Sequence, residues 1–420
     1  MIQGHCGIFL CFTFFFVTLP NNSHLTVMDL STYFEPVSLD DIQFVHNDFF
    51  PHIGDRIQTY TTENGFPETK KQHLALLGVC DDRAAVNNSG CKDAPNEVRK
   101  KFYSLSLPNY DLKIVDLGNM VMGNTAEDTY YALAHTIATL IHRNVVPIVI
   151  GGGNDLAFAI YKAYEKLCQI VNICAIDPRF DLGTNESAID SQSYLNSIIM
   201  SQPNFLFSFT NIGYQSYFVD QQYIKLMNDL HFDTYRLGVV QNDLNESEPL
   251  LRNADFISID LSAVRQSDAP ANGNPTPHGF YGEQLCTMTR FAGISDKLSC
   301  IGFFEMNPRF DNNGQTAHLV AHAIWYFIEG FYGRKSDFPY KDKQNYRRYI
   351  VPLIGDESME IIFYKSKKSD RWWMEIPCPD DRQDKYARHL LLPCSYRDYQ
   401  QALNNEIPER WWTCYNRILN

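Results

Sequence analysis

Four short polar clusters in the 420-residue chain each follow an apolar run. Gly151, Gly152, Gly153, Asn154 and Asp155 follow VVPIVI, and Asp177, Pro178, Arg179, Phe180 and Asp181 follow VNICAI. Ser258, Asp260 and Ser262 close FISIDLS, with Asp268, Ala269 and Pro270 just beyond, and Glu305, Met306, Asn307 and Pro308 end CIGFF. If the apolar runs are neighbouring parallel strands, their ends bring Asn154, Asp177, Arg179, Asp181, Asp260, Ser262 and Glu305 towards one crevice. Converging carboxylates of this kind hold a cation or a cationic ligand. Other candidates are weaker. His278 lies in the loop after Asp268 and could act as a base, although a lone loop histidine is more simply a solvated one. Cys174 and Cys286 are possible nucleophiles without a histidine partner in an obvious motif. The three glycines match neither a dinucleotide fingerprint nor a P-loop, and read as a tight strand-to-helix turn.

The elements that must position these residues follow from the hydrophobic pattern. His73 to Val79, Leu112 to Asp116, Val145 to Ile150, Val171 to Ile176, Asn204 to Phe209, Phe256 to Asp260 and Cys300 to Phe304 read as buried parallel strands, with Tyr235 to Val239 a weaker eighth. Between them Ala126 to Arg143, Leu156 to Gln169, Tyr194 to Met200, Glu283 to Ala292 and Gln315 to Gly330 have helical spacing. The alternation predicts an α/β fold, a three-layer α/β/α sandwich around a mainly parallel sheet, with its site at the strand ends.

Charge and composition bound the rest. A net charge of −13 argues against nucleic acid as a partner. The 11 cysteines are never in CxxC spacing, which predicts reduced thiols and a cytoplasmic protein. Residues 1–27 contain no Lys, Arg, Asp or Glu and an apolar run from Ile8 to Leu19. That run is shorter than the roughly 20 residues of a spanning helix, so no firm membrane association is expected. The segment reads as a non-native extension before Met28 or a weak signal. Residues 28–334 form the expected α/β domain. Residues 335–420 are richer in basic residues and read as a carboxy-terminal extension packed on the core, with a hairpin across KSKKSDR. Its two RWW triplets interleave charge and aromatics as single-strand nucleic-acid binders do, but packing is the simpler explanation.

The four clusters, in this order, resemble the motifs of the arginase/agmatinase/formimidoylglutamase group of ureohydrolases, the formimidoylglutamases most. The run Gly90 to Arg99 and the triplet Asp116, Leu117, Gly118 resemble two further family segments, so the likeness extends over about residues 73–330. It implies an eight-stranded parallel sheet and, in family members, two Mn²⁺ ions held by two His and four Asp, with a bridging hydroxide attacking an amidine or guanidine carbon. Here the two histidine positions are Asn154 and Arg179, and one aspartate position is Ser262. Asp177, Asp181 and Asp260 remain as metal ligands, and Glu305 matches the residue that faces the amidine end of the substrate. A guanidinium cannot ligate a metal. Three Asp and one Arg leave a deficit of positive charge, to be met by Arg265, a single divalent cation or raised carboxylate pKa values. The expectation is therefore a non-catalytic protein without a cofactor, binding a ligand or partner, with Arg179 as internal counter-ion. The alternative is an active amidine hydrolase with an altered or single-metal site holding one Mg²⁺ or Mn²⁺. In both, Glu305, Asn154 and Arg179 would contact a small amidine-type or amino-acid-like ligand. A homo-oligomer is compatible with either.

Overall fold

Eight strands, seven of them apolar runs, pair side by side in one parallel sheet. They are β1 (Leu74–Val79), β2 (Ile114–Met120), β3 (Val146–Ile150), β4 (Val171–Ile176), β5 (Leu206–Tyr214), β6 (Asp233–Arg236), β7 (Phe256–Asp260) and β8 (Cys300–Phe304). The structure, a computed structural model, describes residues 29–42, 50–108, 110–183, 188–339, 343–353 and 359–419, so the apolar segment 1–27 lies outside the described residues. The strand order is β2-β1-β3-β8-β7-β4-β5-β6. Two short strands complete the β2 edge, Phe34–Glu35 antiparallel and Gln58–Thr59 parallel to it.

Helices cover both faces. On one lie α1 (Ala94–Phe102), α6 (Leu237–Asn242), α7 (Ser247–Asn253), α8 (Gly282–Gly293) and α9 (Gln315–Tyr332), which bury Phe102, Leu251, Met288 and Phe327 against Leu76, Ile148 and Ile257. On the other lie α2 (Ala126–His142), α3 (Leu156–Lys166), α4 (Tyr194–Ile199) and α5 (Gln221–Asp229), which bury Leu133, Ile160, Leu195 and Met227 against Leu77, Val149 and Ile173. Apart from the edge strand β6, which is only partly buried, the strands are buried on both faces, which is why they read as continuous apolar runs instead of alternating ones.

Three boundaries differ from expectation. The weak strand at Tyr235 ends at Arg236, and Leu237 to Asn242 turn helical. Val240 is buried while Val239 is 61% exposed, the one-sided burial of a surface helix. Strand β2 continues to Met120 because Gly118, at φ +83°, absorbs a bulge where the pairing with β1 shifts register. Strand β5 runs on to Tyr214.

Past residue 335 the expected hairpin, Glu360–Ser366 against Trp372–Glu375, forms the centre of a four-stranded antiparallel sheet. We label its strands β9 (Tyr346–Pro352), β10 (Glu360–Ser366), β11 (Trp372–Glu375) and β12 (Leu391–Cys394), followed by α10 (Tyr396–Leu403) and α11 (Glu409–Leu419). Ile361, Phe363, Trp372, Met374, Trp411 and Ile418 give it a core of its own, which meets the large sheet at Phe207. Arg252 of α7 donates to the Trp372 and Cys394 carbonyls, and buried Asp255 pairs with Arg388 at 2.6 Å. Trp373 and Trp411 are buried, so packing accounts for most of the repeated RWW aromatics. Among the described residues no helix is long and apolar enough to cross a membrane, and all nine described cysteines are free.

Candidate functional site

The four polar clusters follow β3, β4, β7 and β8, which are contiguous in the sheet order β3-β8-β7-β4. Their side chains therefore meet at the carboxyl edge of the four central strands, where open α/β sheets place ligands.

The turn after β3 is tightly packed. A Cβ on Gly152 would lie 1.8 Å from the Asp81 carbonyl oxygen, so only glycine fits, in agreement with the tight-turn reading. The turn delivers Asn154 into the interior, 1% exposed. Its Nδ2 donates to Asp177 Oδ2 and Asp181 Oδ2, both at 3.2 Å, and its Oδ1 accepts from Ser258 Oγ at 2.8 Å. Asp177 accepts from the Arg179 backbone N–H at 2.7 Å, and Asp260 from that of Ser262 at 2.6 Å. Asp181 sits at φ +50°, a left-handed conformation that a short polar side chain tolerates. Asp177, Asp181 and Asp260 are all buried, and each presents an oxygen within 4.8 Å of the others.

Burial, then mutual repulsion, raises these carboxyls. Asp177 lies well above its ordinary value through burial and the charges of Asp181 and Asp260; Asp181 is pushed up to about 7 by burial and Asp260; Asp260 is raised by burial. Glu305, at φ +64°, is also held well above the usual carboxylate range by burial and by Asp260. Its Oε1 accepts from the Asn154 backbone N–H at 2.9 Å and its Oε2 from Asn88 Nδ2 at 2.7 Å. Glu305 thus clasps the turn after β3 to the segment carrying Asn88, with each oxygen already engaged.

Arg179 departs from its expected role. Its guanidinium lies 4.3 Å from the centre of the Phe218 ring. Among the described residues no ion pair joins it to Asp177, Asp181 or Asp260. The expected internal counter-ion therefore makes no direct ion pair; Arg179 is a half-buried cation stacked on Phe218, and its charge opposes the rise of Asp181 and Asp260 through space. Arg265 does not reach the cluster either; it pairs with Asp268 at 2.8 Å and stacks on Tyr281. His278 is exposed, with its backbone carbonyl accepting from Gln215 Nε2 at 3.1 Å, and it does not join the carboxylate cluster. Cys174 lies inside β4 and Cys286 inside α8, and burial pushes both thiols up, Cys286 to about 11, against a nucleophilic role.

Asn88 and Tyr194 belong to the site without having been singled out, and Ser258, named in its cluster, was not counted among the converging side chains. Ser258 had a signal, since it precedes Asp260 by two and faces the same side of β7. Asn88 sits in a polar NNSG turn that resembles any other loop. Tyr194 is 1% exposed, and its hydroxyl is raised by burial and by the charges of Asp181 and Asp177.

The donor chemistry fits one hard cation. Three carboxylate oxygens converge, with the buried Ser262 hydroxyl beside Asp260. At one of the two histidine positions that the resemblance implies, Arg179 offers no lone pair to a metal, and at the other the Asn154 oxygen already accepts a hydrogen bond from Ser258.

A pH dependence follows in chelator-treated protein. A carboxyl whose pKa is higher in the fold than in the unfolded chain adds stability below its unfolded value, and that stability is lost as pH rises through the folded value. For Asp181 the window runs from 3.8 to about 7. Asp181→Asn, which stays neutral, should gain in melting temperature relative to the unaltered chain between pH 5 and 8. Parallel melting profiles over that range would refute the buried-carboxyl assignment.

A doubly covered parallel sheet with acidic residues gathered at its central strand ends defines a ureohydrolase-type architecture. The arginase family model matches residues 72–329, and the chain belongs to that family. A formimidoylglutamase of Macrococcus caseolyticus is 26% identical over 279 residues, covering 62% of this chain and 86% of the relative. A solved structure of Trypanosoma cruzi formiminoglutamase with Mn²⁺ superposes with a TM-score of 0.61 at 19% identity, covering 68% of this chain and 99% of that one. The formimidoylglutamase of Bacillus subtilis gives a TM-score of 0.61 at 18% identity, covering 70% and 95%.

Proposed function

We infer that the chain is a non-catalytic, formimidoylglutamase-like member of the arginase family that binds a small polar ligand in the crevice at the ends of β3, β4, β7 and β8. The observation that carries this reading is the donor set, in which Arg179 and Asn154 stand where the resemblance calls for two imidazoles. Arg179 has no lone pair for a metal, and the Asn154 side-chain oxygen already accepts one hydrogen bond, from Ser258. Asp177, Asp181 and Asp260 shape the acidic floor, while Glu305 fixes the position of Asn154. A reducing, cytoplasmic setting fits the free thiols.

The second reading is an amidine hydrolase with one divalent cation, Mg²⁺ or Mn²⁺, held by the three aspartates. It is favoured by their convergence within 4.8 Å and by the names of the relatives. A cation bound there would supply Lewis-acid polarisation of a ligand. One experiment separates the two: metal content after Mn²⁺ loading, combined with assays for release of formamide, urea or ammonia from formiminoglutamate, arginine and agmatine. The first reading expects no turnover. Turnover with about one metal per chain would establish the second.

A further inference from the structure

Helix α9 packs one face into the core through Val320, Ala321, Ile324 and Phe327, and it turns His318 and His322 outward, both exposed. Residues four apart on a helix lie one above the other, separated by about 6 Å along the axis. Here the two imidazoles lean together until their ring centres are 4.5 Å apart, with the planes inclined at 41°. Among the described residues no hydrogen bond or ion pair engages either ring. Partial burial holds both below the ordinary imidazole range, and His322 adds to the effect on His318. Each ring is therefore neutral near pH 7 and keeps a nitrogen lone pair. The carboxylate crevice uses neither residue.

We propose that His318 and His322 form a two-imidazole chelate on the outer face of α9 for a nitrogen-seeking divalent ion of the class of Ni²⁺, Cu²⁺ or Zn²⁺. Metal–nitrogen bonds of about 2.0–2.1 Å bring two ligating nitrogens to about 3 Å from each other, a span that two adjacent rings reach by small side-chain rotations. The packed helix fixes both backbone positions, so little ordering is left for binding to impose. Net charge does not draw an ion here. The Lys101 ammonium acts on His318, and that residue lies one turn from the positive amino end of α9. The nitrogen donors must therefore supply the affinity, and imidazole favours these late transition ions over Mg²⁺ or Ca²⁺, which take oxygen. The other coordination positions stay open to water or to a ligand from outside the chain.

Calorimetric titration of the full chain with Ni²⁺, in excess Mg²⁺ to occupy oxygen-donor sites, tests the chelate. His318→Gln and His322→Gln should each weaken Ni²⁺ binding at least about tenfold, and the double variant should lose little more than either single one, because one remaining imidazole no longer chelates. Glutamine is a good helix former and both side chains face water, so the metal-free melting curves should coincide. Ni²⁺ should raise the melting temperature of the unaltered chain more than that of the double variant. Lys101→Met, which leaves both rings in place, should bind Ni²⁺ as tightly as the unaltered chain or more tightly. Binding that survives either histidine substitution, losses that add as for two independent sites, displacement of Ni²⁺ by Mg²⁺, or a weaker complex in Lys101→Met would overturn the proposal.

Discussion

Asn154→His, Arg179→His and Ser262→Asp introduced together are expected to raise Mn²⁺ affinity by at least about 100-fold over the unaltered chain. The present site offers three carboxylates whose oxygens already lie within 4.8 Å of one another. What it lacks is neutral nitrogen donors and enough negative charge for a second ion. The substitutions add two imidazoles and a fourth carboxylate, and they remove the guanidinium that acts on Asp181 and Asp260. Four aspartates and two divalent cations then balance, and the raised carboxyls lose their reason to hold protons. Binding should accordingly release protons and raise the melting temperature with Mn²⁺ concentration. The same variant without metal should melt lower than the unaltered chain, because it buries another carboxyl in an already crowded cluster. Metal titration with proton-release calorimetry reads both effects. A folded variant with no gain in Mn²⁺ affinity would show that these three positions do not correspond to metal-ligand positions.

The strand ends were legible because parallel strands buried on both faces announce themselves as uninterrupted apolar runs, and polar residues after them have few other places to go. That pattern was enough to gather Asn154, Asp177, Asp181, Asp260 and Glu305. It could not show which way Arg179 turns. A long side chain at a strand end chooses between carboxylates below and an aromatic ring beside it, and the ring, Phe218, belongs to a loop 39 positions further on. The sequence likewise offered no reason to pair Asn88 with Glu305, since their contact spans 217 positions and depends on a turn with no periodicity. Strand β6 shows a different limit. Four residues of strand run straight into a helix at Leu237, and a short apolar stretch such as LGVV fits either period. In the carboxy-terminal unit the central hairpin was visible in EIIFY and WWMEI. The outer strands were hidden, one by the arginines of Tyr346–Pro352 and the other by Pro393 inside Leu391–Cys394.

Arg99→Met is expected to lower folding stability by about 3–5 kcal/mol, although it lies outside the carboxylate crevice. Arg99 and Asp116 have side chains with no exposed surface, and they form a two-pronged pair, Nε to Oδ2 at 2.7 Å and Nη2 to Oδ1 at 2.8 Å. This contact joins the two outlying segments of family resemblance, the end of the Gly90 to Arg99 run and the Asp116, Leu117, Gly118 triplet. Arg99 also donates to the Gly118 carbonyl at 2.9 Å and to Asn119 Oδ1 at 2.6 Å, so it holds the bulge that lets β2 continue past Gly118. Tyr103 adds a hydroxyl to Asp116 Oδ2 at 2.9 Å. Removing the guanidinium alone strands a buried carboxylate with only that hydroxyl and a backbone N–H for company. Against a typical stability of about 5–15 kcal/mol, the loss is a large fraction of the whole. Removing both charges with Arg99→Met and Asp116→Leu should recover most of it, because an apolar pair of similar volume avoids the desolvation penalty. Urea denaturation of the single and double variants measures the difference. A single variant within about 1 kcal/mol of the unaltered chain would mean that water reaches Asp116 and that β2 is not pinned by this pair.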